Sequence, residues 1–326
     1  MTAFRSFAAM SLLLVLALPF SLHAQTVVLE PVGHDVSAPL RDMPVIPPTF
    51  DNFNLHMPKP VPHVFNTGGP DGALQSSPSL TSATISNLTG FDGPGVSTGL
   101  SISGEPPDTN ASVGATQVVV WVNSSFAVYD KSTHAKTFPS SGFAAGNTIW
   151  SGFSGGRCAT DNSGDPIVLY DKQAQRWIFT QFAVSTSPYF QCVAVSQTSD
   201  ATGPYNRYAY SFTTNFPDYP KVGVWTDAYY FTFNLFAHAA RFAGADRCAM
   251  DRTTALSGGA AKMLCSPTSR SFASLLPADL DGASGASGTT AAPPAGTAEY
   301  MVNFGTNSLK IWRVVPNFSA GTLSIT

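Results

Sequence analysis

Four times along this chain a short run of aromatic or β-branched residues is followed, after a connection of variable length, by a second such run. The first runs are QVVVWVN (117–123), RWIFTQF (176–182), AYYFTFN (228–234) and EYMVNF (299–304). Their partners are SFAVYDK from Ser125, FQCVAVS from Phe190, RCAMDR from Arg247 and SLKIWRV from Ser308. Runs of this length and composition read as strands. Most pairs are preceded by a segment that carries an aspartate: PPDTNASVG, GDPIVLYD, DYPKVGVWTD and, more loosely, PADLDG. Measured at Val118, Trp177, Tyr229 and Tyr300, the repeat recurs at intervals of 59, 52 and 71 residues.

A period near 50 with three or four strands per unit marks radially repeated sheets. One small sheet cannot bury both of its faces, so each unit must cover its neighbour. The expected fold is therefore all-β: a β-propeller-like radial repeat of small antiparallel sheets with about four recognisable blades. The aspartate-led segment would form the inner strand of each. A β-sandwich is the alternative that short strands also permit. FAHAARFAGADR (236–247) supplies one or two turns of helix at most. The last unit ends at Thr326 in NFSAGTLSIT, mid-unit, so a repeat domain over 107–326 reads as incomplete at its C-terminus.

The flanking text differs. Arg5, the apolar run FAAMSLLLVLALPF (7–20) and a small residue at Ala24 form the positive, apolar and cleavable parts of a signal peptide, residues 1–24. The apolar run is shorter than the roughly 20 residues of a spanning helix, so no transmembrane anchor is expected. The chain is expected to be secreted or periplasmic. Residues 25–106 are rich in Pro, Gly and Ser and read as an extended leader, with a strand or two near Val96–Ser103. Residues 281–299 read as a low-complexity surface loop.

Only 11% of the chain is charged and the formal charge is −3. That balance gives no electrostatic reason to expect nucleic acid as a partner. An even count of four cysteines in an exported chain favours disulfides. Three connectivities are open to Cys158, Cys192, Cys248 and Cys265. The pairs Cys158–Cys192 and Cys248–Cys265 are preferred, because each falls within one repeat. The C-x-x-C spacing that would argue for zinc is absent from the sequence.

The segments EPPDTNASVGATQVVVWVNSSFAVYDK, GNTIWSGFSGGRCATDNSGDPIVLYDKQAQRWIFTQFAV, NFPDYPKVGVWTDAYYFTFNLF and LLPADLDG resemble an uncharacterised family of secreted bacterial proteins built as β-propellers. The likeness covers roughly residues 100–315. It implies the fold and the compartment and brings no activity with it. Members of that family continue into further blade-like segments, so the resemblance implies a shortened or truncated member here.

Asp108, Asp165, Asp218 and Asp279 hold similar positions in their units and would converge at one mouth of a ring. Gathered carboxylates repel unless a cation, a basic side chain or a shared proton relieves them. A bound calcium ion or the acid pair of a glycosidase would use such a cluster; the plain alternative is that each aspartate caps its own turn. In DNSGD, Asp161, Ser163 and Asp165 alternate oxygens as a calcium loop does, although the distal Glu is missing. Calcium is thus the one candidate cofactor. GFSGG (152–156) spells a nucleophile elbow at Ser154 without the following helix that motif needs. The tryptophans and strand tyrosines read as core, except Trp150, whose place in GNTIWSGF makes it a candidate sugar platform.

Two functions from different classes follow. One is a non-catalytic binding module for an extracellular glycan, peptide or surface partner. The other is a carbohydrate-active enzyme, a glycoside hydrolase or lyase, working through the channel-mouth aspartates.

Overall fold

A computed structural model describes residues 26–48, 90–100, 107–280, 292–305 and 308–326. The expected signal peptide and residues 49–89 of the leader lie outside the described residues.

The described chain opens with two short strands, β1 (Val27–Leu29) and β2 (Gly33–Val36). A first meander follows, made of β3 (Thr109–Val113), β4 (Gln117–Val122), β5 (Ser125–Asp130) and β6 (Lys136–Phe138), with β7 (Ala144–Ala145) returning against β5. The second comprises β8 (Ile167–Asp171), β9 (Arg176–Ala183), β10 (Tyr189–Ser196) and β11 (Tyr205–Thr213). The third comprises β12 (Asn215–Val224), β13 (Ala228–Ala237), β14 (Arg241–Asp251), a short helix α1 (Arg252–Ser257) and β15 (Met263–Pro267). The fourth comprises β16 (Leu276–Pro277), β17 (Glu299–Gly305), β18 (Ser308–Asn317) and β19 (Thr322–Ile325). Every neighbouring pair is antiparallel, and none of the sheets closes into a barrel. The protein is all-β.

Alternation along the strands explains how the sheets stack, because successive side chains leave opposite faces. In β9, Trp177 and Phe179 join Trp121 and Phe126 of the first sheet in one core, while Ile178 joins Tyr229, Phe231 and Phe233 of the third in another. In the third sheet Tyr230, Ala249 and Leu264 turn the other way, to Met301, Val314 and Leu323 of the fourth. The second and third sheets therefore bury both faces, which is why their strands read as continuous apolar runs. The first strands also lie side by side: β3 against β8, β8 against β12, and β12 against β16.

Both preferred disulfides form. Cys158–Cys192 ties the loop before β8 to β10, and Cys248–Cys265 joins directly opposed residues of β14 and β15.

The first described segment, 26–48, is a strap across the sheet edges. Thr26 Oγ1 accepts from Leu323 N–H of the fourth sheet at 2.9 Å. Then β1 pairs with β15 on the third, and β2 with β11 on the second. Finally Ile46 O accepts from Ala145 N–H of the first at 2.8 Å. Arg207 fixes the strap through two hydrogen bonds to Asp35, at 2.8 and 2.7 Å.

One local expectation is corrected and two local details are added. The strand expected near Val96–Ser103 begins instead as a single 3-10 turn at Val96–Thr98, and 101–106 lie outside the described residues. FAHAARFAGADR forms no helical turns of its own; it is the end of β13, a tight turn with His238 and Ala239 at positive φ, and the start of β14. The α-helix of the described residues is α1, where Asp251 caps the N-terminus by accepting from Thr254 N–H and Gly258 closes the C-terminus in the left-handed conformation.

Candidate functional site

Because β3, β8 and β12 are neighbours, the aspartates at their leading ends meet. Asp108 immediately precedes β3, Asp165 lies two residues before β8, and Asp218 stands where β12 bulges between its pairing with Asn234 and that of Lys221 with Thr232. Asp108 and Asp165 hydrogen-bond to each other through their side chains. Two carboxyls can do this only if one holds a proton. Burial, followed by the charges of Asp108 and Asp218, pushes the Asp165 carboxyl up to about 8. Burial raises Asp108 as well.

The counter-charge is Lys221, which the sequence analysis did not select. Its ammonium interacts with Asp165, Asp108 and Asp218 together; burial lowers its pKa against the pull of all three. Lys221 Nζ also lies 3.7 Å from the centre of the Tyr219 ring and donates to Pro220 O at 3.1 Å. Tyr219 is 45% exposed, so an aromatic residue partly open to solvent adjoins the acid cluster. The signal was present in the sequence: DYPKVGVWTD is the only aspartate-led segment with a basic residue.

The backbone here is unusual. Asp108 and Asp165 take φ of 40° and 44°, and Tyr219 takes 54°. Aspartate visits the left-handed region more readily than most residues, but a tyrosine there is strained. These three positions, with Ser274 at 54°, correspond from sheet to sheet; the last three lie two residues before Ile167, Lys221 and Leu276, at similar points in their ladders.

That register corrects the expectation for Asp279. The place equivalent to Asp165 belongs to Tyr219 in the third sheet, one residue past Asp218, and to Ser274 in the fourth. Asp279 lies beyond β16, where its Oδ1 accepts from Val224 N–H at 3.0 Å. Three of the four expected aspartates are thus brought together, and the fourth braces the seam between third and fourth sheets.

The DNSGD loop is also reassigned. Asp161 Oδ2 accepts from Ser185 Oγ at 2.6 Å, Ser185 N–H at 3.1 Å and Arg157 Nε at 3.2 Å. Ser163 Oγ accepts from Val184 N–H at 3.1 Å. Both hold the loop against the end of β9, while Asp165 turns to Asp108, so the three oxygens do not face one ion. Among the described residues the trio of His, Cys, Asp or Glu whose ligand atoms all lie within 4.8 Å is Asp246, Cys248 and Cys265. Its two cysteines are joined as a disulfide.

Trp150 is no platform. It ends a 3-10 turn, Gly146–Trp150, and is wholly buried in the core between first and second sheets. Trp121 and Trp177 are buried there too, and Trp225 lies between the third and fourth. Ser154 is followed by turns leading to Cys158, without the helix of an elbow. No helix among the described residues is long and apolar enough to cross a membrane. Neither the protein-family models nor the curated proteins contain a match to the chain.

Proposed function

We propose that the protein is an exported, propeller-like binding module that takes a polyhydroxylated ligand, an extracellular glycan, at the leading ends of β3, β8 and β12. The observation that carries this reading is the pairing of an exposed ring, Tyr219, with a cluster of carboxyls and an ammonium at Asp108, Asp165, Asp218 and Lys221. A sugar offers an apolar ring face for stacking and hydroxyls that both donate and accept, and this arrangement supplies partners for each. Four consecutive meanders with adjacent first strands support the propeller-like ring over the sandwich, whose two facing layers would not put β3, β8, β12 and β16 in one row. Two disulfides suit an oxidising compartment.

A second reading rests on the shared proton. A carboxyl held protonated near neutrality beside an ionised partner is the equipment of general acid catalysis, as in a glycoside hydrolase or lyase. One experiment addresses both. A polysaccharide panel is scored for retention of the protein and for release of reducing ends. Retention without release, lost in Tyr219→Ala, supports the binding module. Release that disappears in Asp165→Asn replaces it with the enzyme. Retention that Tyr219→Ala and Asp165→Asn leave unchanged removes this site from the account.

A further inference from the structure

Among the described residues, the fourth sheet is covered on one side only. Met301, Val314 and Leu323 pack toward the third sheet. Their neighbours in sequence face the opposite way: Tyr300 is 43% exposed, Phe304 69%, Leu309 56% and Ile311 59%. The ladder sets Tyr300 opposite Arg313, Val302 opposite Ile311, and Phe304 opposite Leu309. Leu276, 45% exposed, lies on the other side of Val302. The result is one continuous apolar stripe, with Arg313 and Tyr300 at one end and Phe304 and Leu309 at the other. Elsewhere such faces are covered. Those of the second and third sheets meet a neighbouring sheet, and the free face of the first lies under Phe91, Leu100 and Phe143.

We propose that this stripe is the contact between two copies of the chain, their fourth sheets packed face to face about a two-fold axis near Val302 and Ile311. The area is sufficient. The five exposed side chains present on the order of 500 Å², near the top of the ~300–600 Å² seen for the largest patch on a monomer. Pairing two copies removes about 1,000 Å², the size at which a specific interface becomes credible. The chemistry is self-complementary. A two-fold axis running across the strands places the Arg313 end of one stripe on the Phe304 end of the other, giving the guanidinium an aromatic face. Among the described residues, no side chain along the stripe is a carboxylate, so closure leaves no acidic side chain buried without a partner. This contact is independent of the ligand site.

Analytical ultracentrifugation of the chain from Gln25 onward, over a wide concentration range, tests it. The wild type is expected to sediment as a dimer. Ile311→Lys and Phe304→Asp each weaken the dimer at least about 10-fold, because a charge on a closed apolar contact is not compensated. At a concentration low enough for the wild type to be monomeric, the circular dichroism melt should be unchanged, since both residues are exposed in the single chain. Val36→Lys, on the strap and 53% exposed, leaves the dimer intact. Hydroxyl-radical footprinting gives a measurement that needs no variant: labelling of Phe304 and Ile311 rises on dilution. A wild type that stays monomeric at high concentration overturns the proposal. So does a dimer indifferent to both charges, or labelling that dilution does not change.

Discussion

Asp171 Oδ2 and Arg252 Nε lie 2.7 Å apart across the seam between second and third sheets, and the Asp171 side chain is wholly buried. Arg252 Nη2 reaches the other carboxylate oxygen at 3.1 Å, and Tyr229 Oη donates to Oδ2 at 3.0 Å. Gln173 and Ala174 add backbone N–H donors. The end of β8, β13 and α1 are thus locked by one carboxylate. Removing it strands a partly buried guanidinium, so Asp171→Ala is expected to cost about 3–5 kcal/mol. The check is urea unfolding. A double variant, Asp171→Leu with Arg252→Met, should lose less than Asp171→Ala, because no unpaired charge remains.

Stability should fall as pH rises. Burial is the leading cause in three carboxyls pushed up to about 8 at Asp165, about 7 at Asp246 and about 8 at Glu299. In the unfolded chain they titrate near ~4. Between those values the folded protein holds more protons than the unfolded chain, so the stability linked to them is present at pH ~4 and is lost on the way to pH ~8. Calorimetry over that range should show the melting temperature decreasing, with a shallower decrease in Asp165→Asn. A melting temperature that climbs toward pH ~8 contradicts this assignment of the buried acids.

The two disulfides should contribute unequally. They close loops with sequence separations of 34 and 17 residues. On chain entropy alone these are worth about 4 and about 3 kcal/mol. Replacing Cys158 and Cys192 together by alanine is therefore expected to destabilise more than replacing Cys248 and Cys265, as read from denaturation midpoints under oxidising conditions.

Deleting residues 26–36 should convert the protein to multimers. The deletion bares the backbone edges of β11 and β15, which are then free to pair with other chains. It also leaves Arg207, 4% exposed, without the Asp35 carboxylate. Light scattering after size exclusion reads the outcome; a monodisperse product of unchanged stability would show the strap to be dispensable.

The repeat was legible because alternation and aromatic content survive in every unit: QVVVWVN, RWIFTQF, AYYFTFN and EYMVNF all lie in second strands of their sheets. Cysteine placement within units also pointed to the bonds that form. Other features depend on distant partners. β1 and β2 are strands because the edges of β15 and β11 are there to receive them, and nothing in a Pro-rich stretch announces that. Trp150 reads locally as a loop residue, whereas its burial is decided by the second sheet. Asp279 was misaligned because β16 has only two residues, too few to phase a register by alternation. Lys221 needed only the question of what could neutralise converging acids.

The strap fixes an order of assembly. Thr26 and Leu323 are 297 positions apart in the chain, yet they are hydrogen-bonded neighbours. Within the strap, β2 can pair only after β11 has been made, β1 only after β15, and Thr26 only after β19, so the edges of β11 and β15 stay open until strands distant in sequence are in place. Such distant closure makes folding slow. The latch at Thr26 therefore stays undone until β19 has joined the folded sheets.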